Sequence, residues 1–410
     1  MKRLILIAAL AAAGVHAETL PSMPGLLPEP VAHPLLVNDA MVASARADAA
    51  AAREDARLAE GSPYEFTARL NAQKRRLDVG PQYKEWNVGI ERTLRLPGKA
   101  QADRSIGQAF MAESDAVYGE ALHEAARVLL TLWLDWAQAE RAVELAARNL
   151  VAAQENADAV DKRVKAGDAA RLDASIARAD LAEQERAAVE AKTAAAVAWA
   201  QLNARFPGLK HEHAVLPEPQ PLARPLQFWR ERILAESDEL KLAAAARDKA
   251  AGHAARARAE RVPDPTVGVY TASEFAGQER FTGVMISVPI PGARRSRLAD
   301  RAVSAAESAR QLHQAKLVQL EAHVASEVAT AEGAYEAWRA ARTNAASMGE
   351  NARLATRAYA LGEADLQSLL AARRQANSAA LSALTAQVTA VHAQAALMVD
   401  AHLVWGLGEE

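Results

Sequence analysis

From Leu122 to Val164, positions spaced alternately three and four residues apart are apolar without exception: Leu122, Ala125, Leu129, Leu132, Trp136, Ala139, Val143, Ala146, Leu150, Ala153, Ala157, Val160 and Val164. Moved on by 195 residues, the ladder reads Leu317, Leu320, Val324, Glu327, Ala331, Ala334, Trp338, Ala341, Ala345, Met348, Ala352, Ala355 and Tyr359, and only Glu327 breaks it. A seven-residue repeat held this long marks a coiled-coil seam. Two copies in one phase mark an internal duplication.

The first ladder belongs to a helix expected from Lys99 to about Ala166, or ~100 Å at 1.5 Å per residue. Gly167-Asp168 turns the chain, and a return helix carries Ala174, Ala177, Leu181, Ala188, Ala191, Ala195, Ala198 and Leu202 on one seam, with Gln184 its polar member. Gly362-Glu363 repeats that turn, after a second long helix that begins near Arg295.

Ahead of each long helix the period changes to two. Tyr64, Phe66 and Ala68 alternate with polar residues, as do Trp86, Val88, Ile90, Leu94 and Leu96, with Arg92 the exception. Strands are therefore expected over about 63–72 and 84–96, and again over 266–272 and 281–290, closed by Pro97-Gly98 and Pro291-Gly292. Helices are expected near Asn38–Glu60, capped by Asn38 or Asp39, and near Phe228–Arg261. The division that follows is a Pro-rich extended segment over 18–34, a first repeat over 35–208, a linker over 209–225 and a second repeat over 226–405. The fold class is mainly α with a small β part, in two tandem repeats of strand, strand and long helical hairpin.

Composition narrows the function. There is no cysteine, which removes disulfides, thiolate chemistry and a lipidated N-terminal Cys. Lys2 and Arg3, an apolar run and Val15-His16-Ala17 have the form of a secretory signal over 1–17, cleaved after Ala17. The net charge of −3 gives no footprint for nucleic acid. No other stretch is long and apolar enough to span a bilayer as a helix.

Strands of about ten residues do span one at a tilt. Four of them cannot close a barrel, and open edges do not survive in lipid. The strands must then pair with those of other copies. Three chains would give twelve strands, the smallest symmetric ring above a dimer, and the sequence leaves other counts open. Tyr64, Phe66, Tyr83, Trp86, Tyr270, Phe275 and Phe281 concentrate in these stretches, as the aromatic girdles of a barrel do; ordinary strand propensity has the same effect. The long hairpins, continuous with the strands, would extend such a barrel as a helical tube.

At this point the chain resembles the TolC-type outer-membrane efflux proteins. The resemblance is carried by the strand–strand–Pro-Gly–helix order seen twice, and by the tip patterns Arg163-Val164-Lys165-Ala166-Gly167 and Tyr359-Ala360-Leu361-Gly362-Glu363-Ala364-Asp365-Leu366-Gln367-Ser368-Leu369-Leu370. Leu94-Arg95-Leu96-Pro97-Gly98-Lys99 and Val262-Pro263-Asp264-Pro265-Thr266 are similar to the CzcC-like and CusC-like heavy-metal branch. The resemblance implies a homotrimer with a 12-strand outer-membrane β-barrel, continued by a periplasmic α-helical coiled-coil barrel. Its tips would close like an iris and dock on a periplasmic adaptor (membrane fusion) protein fed by an inner-membrane pump such as an RND transporter. Gly167 and Gly362 would be the tip turns, with Arg163, Asp168, Arg357, Glu363 and Asp365 near the closed entrance. Some relatives carry two Asp one turn apart after the second tip. Here those places hold Ser368 and Ala371, so no acidic ring is expected there; Asp365 or Asp173 would be the substitutes, although a carboxylate at a helix start is the commoner meaning of both.

No catalytic, cofactor or metal site is expected. Lys99 lacks the glycine spacing of a phosphate loop, no His-Glu-x-x-His occurs, and no Ser/His/Asp set stands out. His211-Glu212-His213 reads as a solvated loop, Trp136 and Trp338 as seam packing, and Lys74-Arg75-Arg76 as an extracellular loop facing anionic lipid. A passive export duct for heavy-metal cations is the leading function. A periplasmic coiled-coil scaffold without a pore is its rival.

Overall fold

The computed structural model describes residues 23–211 and 215–407. The signal segment over 1–17, and Glu212 and His213, lie outside the described residues. The elements are α1 (Glu29–Val37), α2 (Ala40–Glu60), β1 (Phe66–Arg76), β2 (Gln82–Thr93), α3 (Pro97–Ala166), α4 (Arg171–Arg205), α5 (Leu226–Glu236), α6 (Asp238–Ala259), β3 (Thr266–Glu274), β4 (Glu279–Ser287), α7 (Ala293–Leu361) and α8 (Leu366–Asp400). Helices α3 and α4 form one hairpin, α7 and α8 the other, and α2, α5 and α6 pack beside them.

The ladders are buried as their period requires. Leu129, Val160, Val324 and Ala331 are sealed from solvent, and Trp133, Trp136 and Trp338 pack in the interior. The largest apolar cluster joins α3 with α8 and includes Leu36 of α1 and Trp405 after α8.

Three expectations are corrected. The Pro-rich segment is not extended throughout, because residues 29–37 are helical. Pro28 caps α1 and Pro30 falls in its first turn, where a missing N–H costs nothing; Ala32 and Leu36 are then fully buried. The single helix over 228–261 is two. Ser237 breaks it and caps α6, its hydroxyl accepting from the Leu240 N–H at 3.2 Å. Lys74-Arg75-Arg76 is strand rather than loop, since Arg75 finds Glu85 at 2.7 Å and Glu274 at 3.0 Å. At the strand ends, β2 stops at Thr93 and β4 at Ser287, leaving Val288 and Ile290 exposed beyond the sheet.

The four strands form one antiparallel sheet in the order β1-β2-β3-β4. Register divides its faces. Leu70 pairs with Val88, Ile90 with Val269, and Val269 with Val284, so one face carries Phe66, Leu70, Val88, Ile90, Val269, Val284 and Ile286, all exposed. The other face carries ion pairs, such as Arg69–Glu91 at 2.7 Å. Arg92, the sequence exception, sits on the apolar face at its helical end. Its guanidinium covers the Phe66 ring at 4.8 Å and donates to the Tyr64 carbonyl at 3.2 Å. Strands β1 and β4 are the two open edges of the sheet.

Candidate functional site: the paired hairpin tips

The α3–α4 and α7–α8 turns have one construction. Gly167 adopts φ 86° and Gly362 φ 81°, left-handed conformations that glycine enters freely. At the first turn the Gly167 N–H donates to the Val164 carbonyl at 3.1 Å and the Asp168 N–H to that of Arg163 at 2.8 Å. At the second, Gly362 donates to Tyr359 at 3.1 Å and Glu363 to Ala358 at 2.9 Å. Each long helix thereby satisfies carbonyls its last turn would leave bare.

Both return helices begin with a carboxylate. Asp173 accepts from the Ala170 N–H at 3.3 Å, and Asp365 from the Ser368 N–H at 2.7 Å. The Ser368 contacts hold the exposed Asp365 carboxyl below its ordinary range. Both carboxylates are engaged in starting a helix.

Between the turns lies a small core in which Leu366, Leu369 and Leu370 of α8 meet Ala157 and Val160 of α3 and Ala174 and Ala177 of α4. It fixes the two tips side by side. A groove above it is lined in part by Arg163, Asp168, Tyr359 and Gly362. Arg163 does not pair with Asp168. Its guanidinium covers the Tyr359 ring of the other hairpin at 5.2 Å, a cation–π contact. Arg357 and Glu363 are exposed on the second hairpin and form no ion pair among the described residues. The fold thus brings Arg163, Asp168 and Gly362 to one groove, engages Asp173 and Asp365 as caps, and leaves Arg357 and Glu363 facing outward.

Sequence reasoning missed two contacts that stiffen this end. Arg178 reaches Asp161 at 2.9 Å across the first hairpin, and Arg373 donates to the Ala152 carbonyl at 3.1 Å, tying α8 to α3. The second had no sequence signal. The first pairs residues at unequal distances from Gly167, so the turn position did not point to it either.

Residues 31–205 match the family model described as "Outer membrane efflux protein". No curated protein matches the chain. Among solved structures, the outer-membrane channel OprN shares the fold at a TM-score of 0.77 and 18% identity, over 92% of this chain and 91% of that one. The CmeC outer membrane channel of Campylobacter jejuni does so at 0.76 and 14%, over 99% and 94%. CusC, described in connection with transmembrane channel formation, does so at 0.73 and 16%, over 91% of each. At such identities the likeness is one of fold.

Proposed function

We propose that the chain is a TolC-type outer-membrane efflux protein, a reading supported by the family's sequence pattern over residues 31–205 and the shared fold over nearly all of its length, and that it is the outer-membrane duct of a tripartite efflux system. The observation that carries this reading is the sheet: four strands, apolar on one face and ionic on the other, open at β1 and β4, and continuous with two hairpins whose long arms, α3 and α7, run about 100 Å. Open edges in lipid demand partners. Three copies joined β1 to β4 give a twelve-strand barrel, with the apolar face toward lipid and the ionic face toward water. The hairpins then continue the barrel through the periplasm as a helical cylinder.

Such a protein is a passage and not a catalyst. Energy comes from an inner-membrane pump such as an RND transporter, passed on through a periplasmic adaptor that meets the hairpin tips. In this reading Gly167 and Gly362 are the tip turns. Arg163, Asp168, Arg357 and Glu363 surround the closed entrance, while Asp173 and Asp365 hold the helix starts behind it. Heavy-metal cations are the proposed cargo, on the strength of the Leu94–Lys99 and Val262–Thr266 motifs.

The test is a deletion strain complemented with the wild-type gene or with an empty vector. The duct reading expects the protein in the outer-membrane fraction, and expects deletion to raise sensitivity to exported compounds. Metal cargo expects that sensitivity to be confined to divalent metal salts. A protein recovered in the soluble periplasmic fraction would overturn the duct. Sensitivity to organic toxicants alone would overturn the metal cargo and leave the duct standing.

A further inference from the structure

Glu327, the one break in the second ladder, does not point to solvent as a misplaced surface residue would. It lies between His323, one turn earlier on α7, and Asp400, the last residue of α8. The His323 Nε2 and Glu327 Oε1 are 3.1 Å apart, and one ligand atom from each of the three residues falls within 4.8 Å of the others. We propose that His323, Glu327 and Asp400 form a binding site for a single divalent transition-metal ion of the Zn2+ type, bridging α7 and α8.

The donor set suits such an ion, since Zn2+ takes both imidazole nitrogen and carboxylate oxygen as ligands. Two ligands each ~2.1 Å from a common ion stand at most ~4.2 Å apart. Closing the triad therefore needs under about 1 Å of approach, within reach of the Glu327 and His323 rotamers. Three protein ligands leave a position for water, and His323 is half exposed, so an ion has a path in.

Unspent coordinating capacity is the second observation. Glu327 Oε2 is shut from solvent with no hydrogen-bond partner. Close by, the His402 ring meets His123 edge-on at 5.4 Å, and His402 Nε2 and Asp238 Oδ2 are buried orphans 3.9 Å apart. His402 also holds the left-handed φ of 53°, a strain that a non-glycine residue rarely carries. Asp400 is already oriented. His123 Nε2 at 3.0 Å and Arg127 Nε at 3.1 Å both meet its Oδ1.

The duplication supplies the control. At the offset of 195, the first repeat places Val128, Leu132 and Arg205 where the second has His323, Glu327 and Asp400. The architecture is built in the first repeat without this triad, so packing alone does not require it in the second. The inference does not rest on the export reading, since it concerns an ion held in the wall of the protein and not its cargo.

Zn2+ is the probe, titrated by calorimetry into chelator-treated full-length protein in detergent. Co2+ absorption reports coordination independently. The variants are Glu327→Leu and His323→Val, each the residue of the first repeat and each expected to fold. One Zn2+ per chain is expected, with affinity falling at least about tenfold in either variant, as even the loss of groups supporting a metal ligand produces. The Co2+ visible bands should disappear with it. Zn2+ that fails to bind the wild type, or that binds wild type and the double variant alike, overturns the site.

Discussion

The Lys99 ammonium lies 2.9 Å from the Asp264 carboxylate, with both side chains almost wholly buried. Lys99 belongs to the first turn of α3, and Asp264 stands just before β3. The same carboxylate accepts from the Leu96 N–H at 3.0 Å and from the Tyr64 hydroxyl at 2.8 Å. One group thus clasps the point where the sheet of both repeats becomes the helix of the first. Removing one partner of a buried pair costs on the order of 3 kcal/mol. Asp264→Asn should therefore unfold at markedly lower temperature in detergent at neutral pH, as circular dichroism would record.

The pH dependence follows from the same contact. Burial pushes the Asp264 carboxyl up, but its bonds to Lys99, Leu96 and Tyr64 outweigh burial and leave it below its ordinary value. A carboxyl depressed in the folded state stabilises the protein above its unfolded pKa of about 3.9 and ceases to as pH falls through the folded value. Wild-type protein should lose thermal stability as the medium is acidified below about pH 4. In Asp264→Asn that loss should be smaller. Equal acid sensitivity in both would contradict the role given to Asp264.

The sheet faces are distinguished by neighbouring residues. Val88 lies on the apolar face and Asn87 on the ionic one. Arg on the lipid face of a barrel costs about 2–4 kcal/mol near mid-membrane. Val88→Arg should lower the yield in the outer-membrane fraction and Asn87→Arg should leave it near wild type. The reverse order would exchange the two faces.

At the tips, Arg163→Ala combined with Arg357→Ala should raise single-channel conductance in planar bilayers. The double change removes the Arg163–Tyr359 contact between hairpins together with a rim of positive charge. Unchanged conductance would show that no latch resides there.

Gly362→Ala tests the turn itself. The added Cβ meets nothing within 4 Å, so only the left-handed φ opposes it. The cost is about 1–2 kcal/mol. Faster hydrogen exchange confined to the α7–α8 turn, with the sheet unaffected, is the expected readout.

Much of this architecture was legible because long helices and two-faced strands write their period into the sequence. The ladder through Leu129 and Val324 needs no partner to be recognised, and the glycine turns at 167 and 362 repeat at one offset. What stayed hidden depends on contacts distant in sequence. Pro28, Pro30 and Pro34 read as extended until Leu36 is seen to be buried in the core. Lys74-Arg75-Arg76 reads as loop until Glu85 and Glu274 are seen to neutralise Arg75. Asp173 and Asp365 are local instead, and their place at a helix start was already the commoner reading of the sequence. Glu327 alone announced itself, as an acid where the pattern called for Leu, and its companions His323 and Asp400 became evident only when α7 and α8 lay side by side.

The central claim is that four strands cannot seal themselves in lipid and that three identical chains share one wall. Native mass spectrometry of the detergent-extracted protein tests it most directly. A homotrimer that also conducts ions when reconstituted is the predicted result; a single chain, stable in water without detergent, would contradict it.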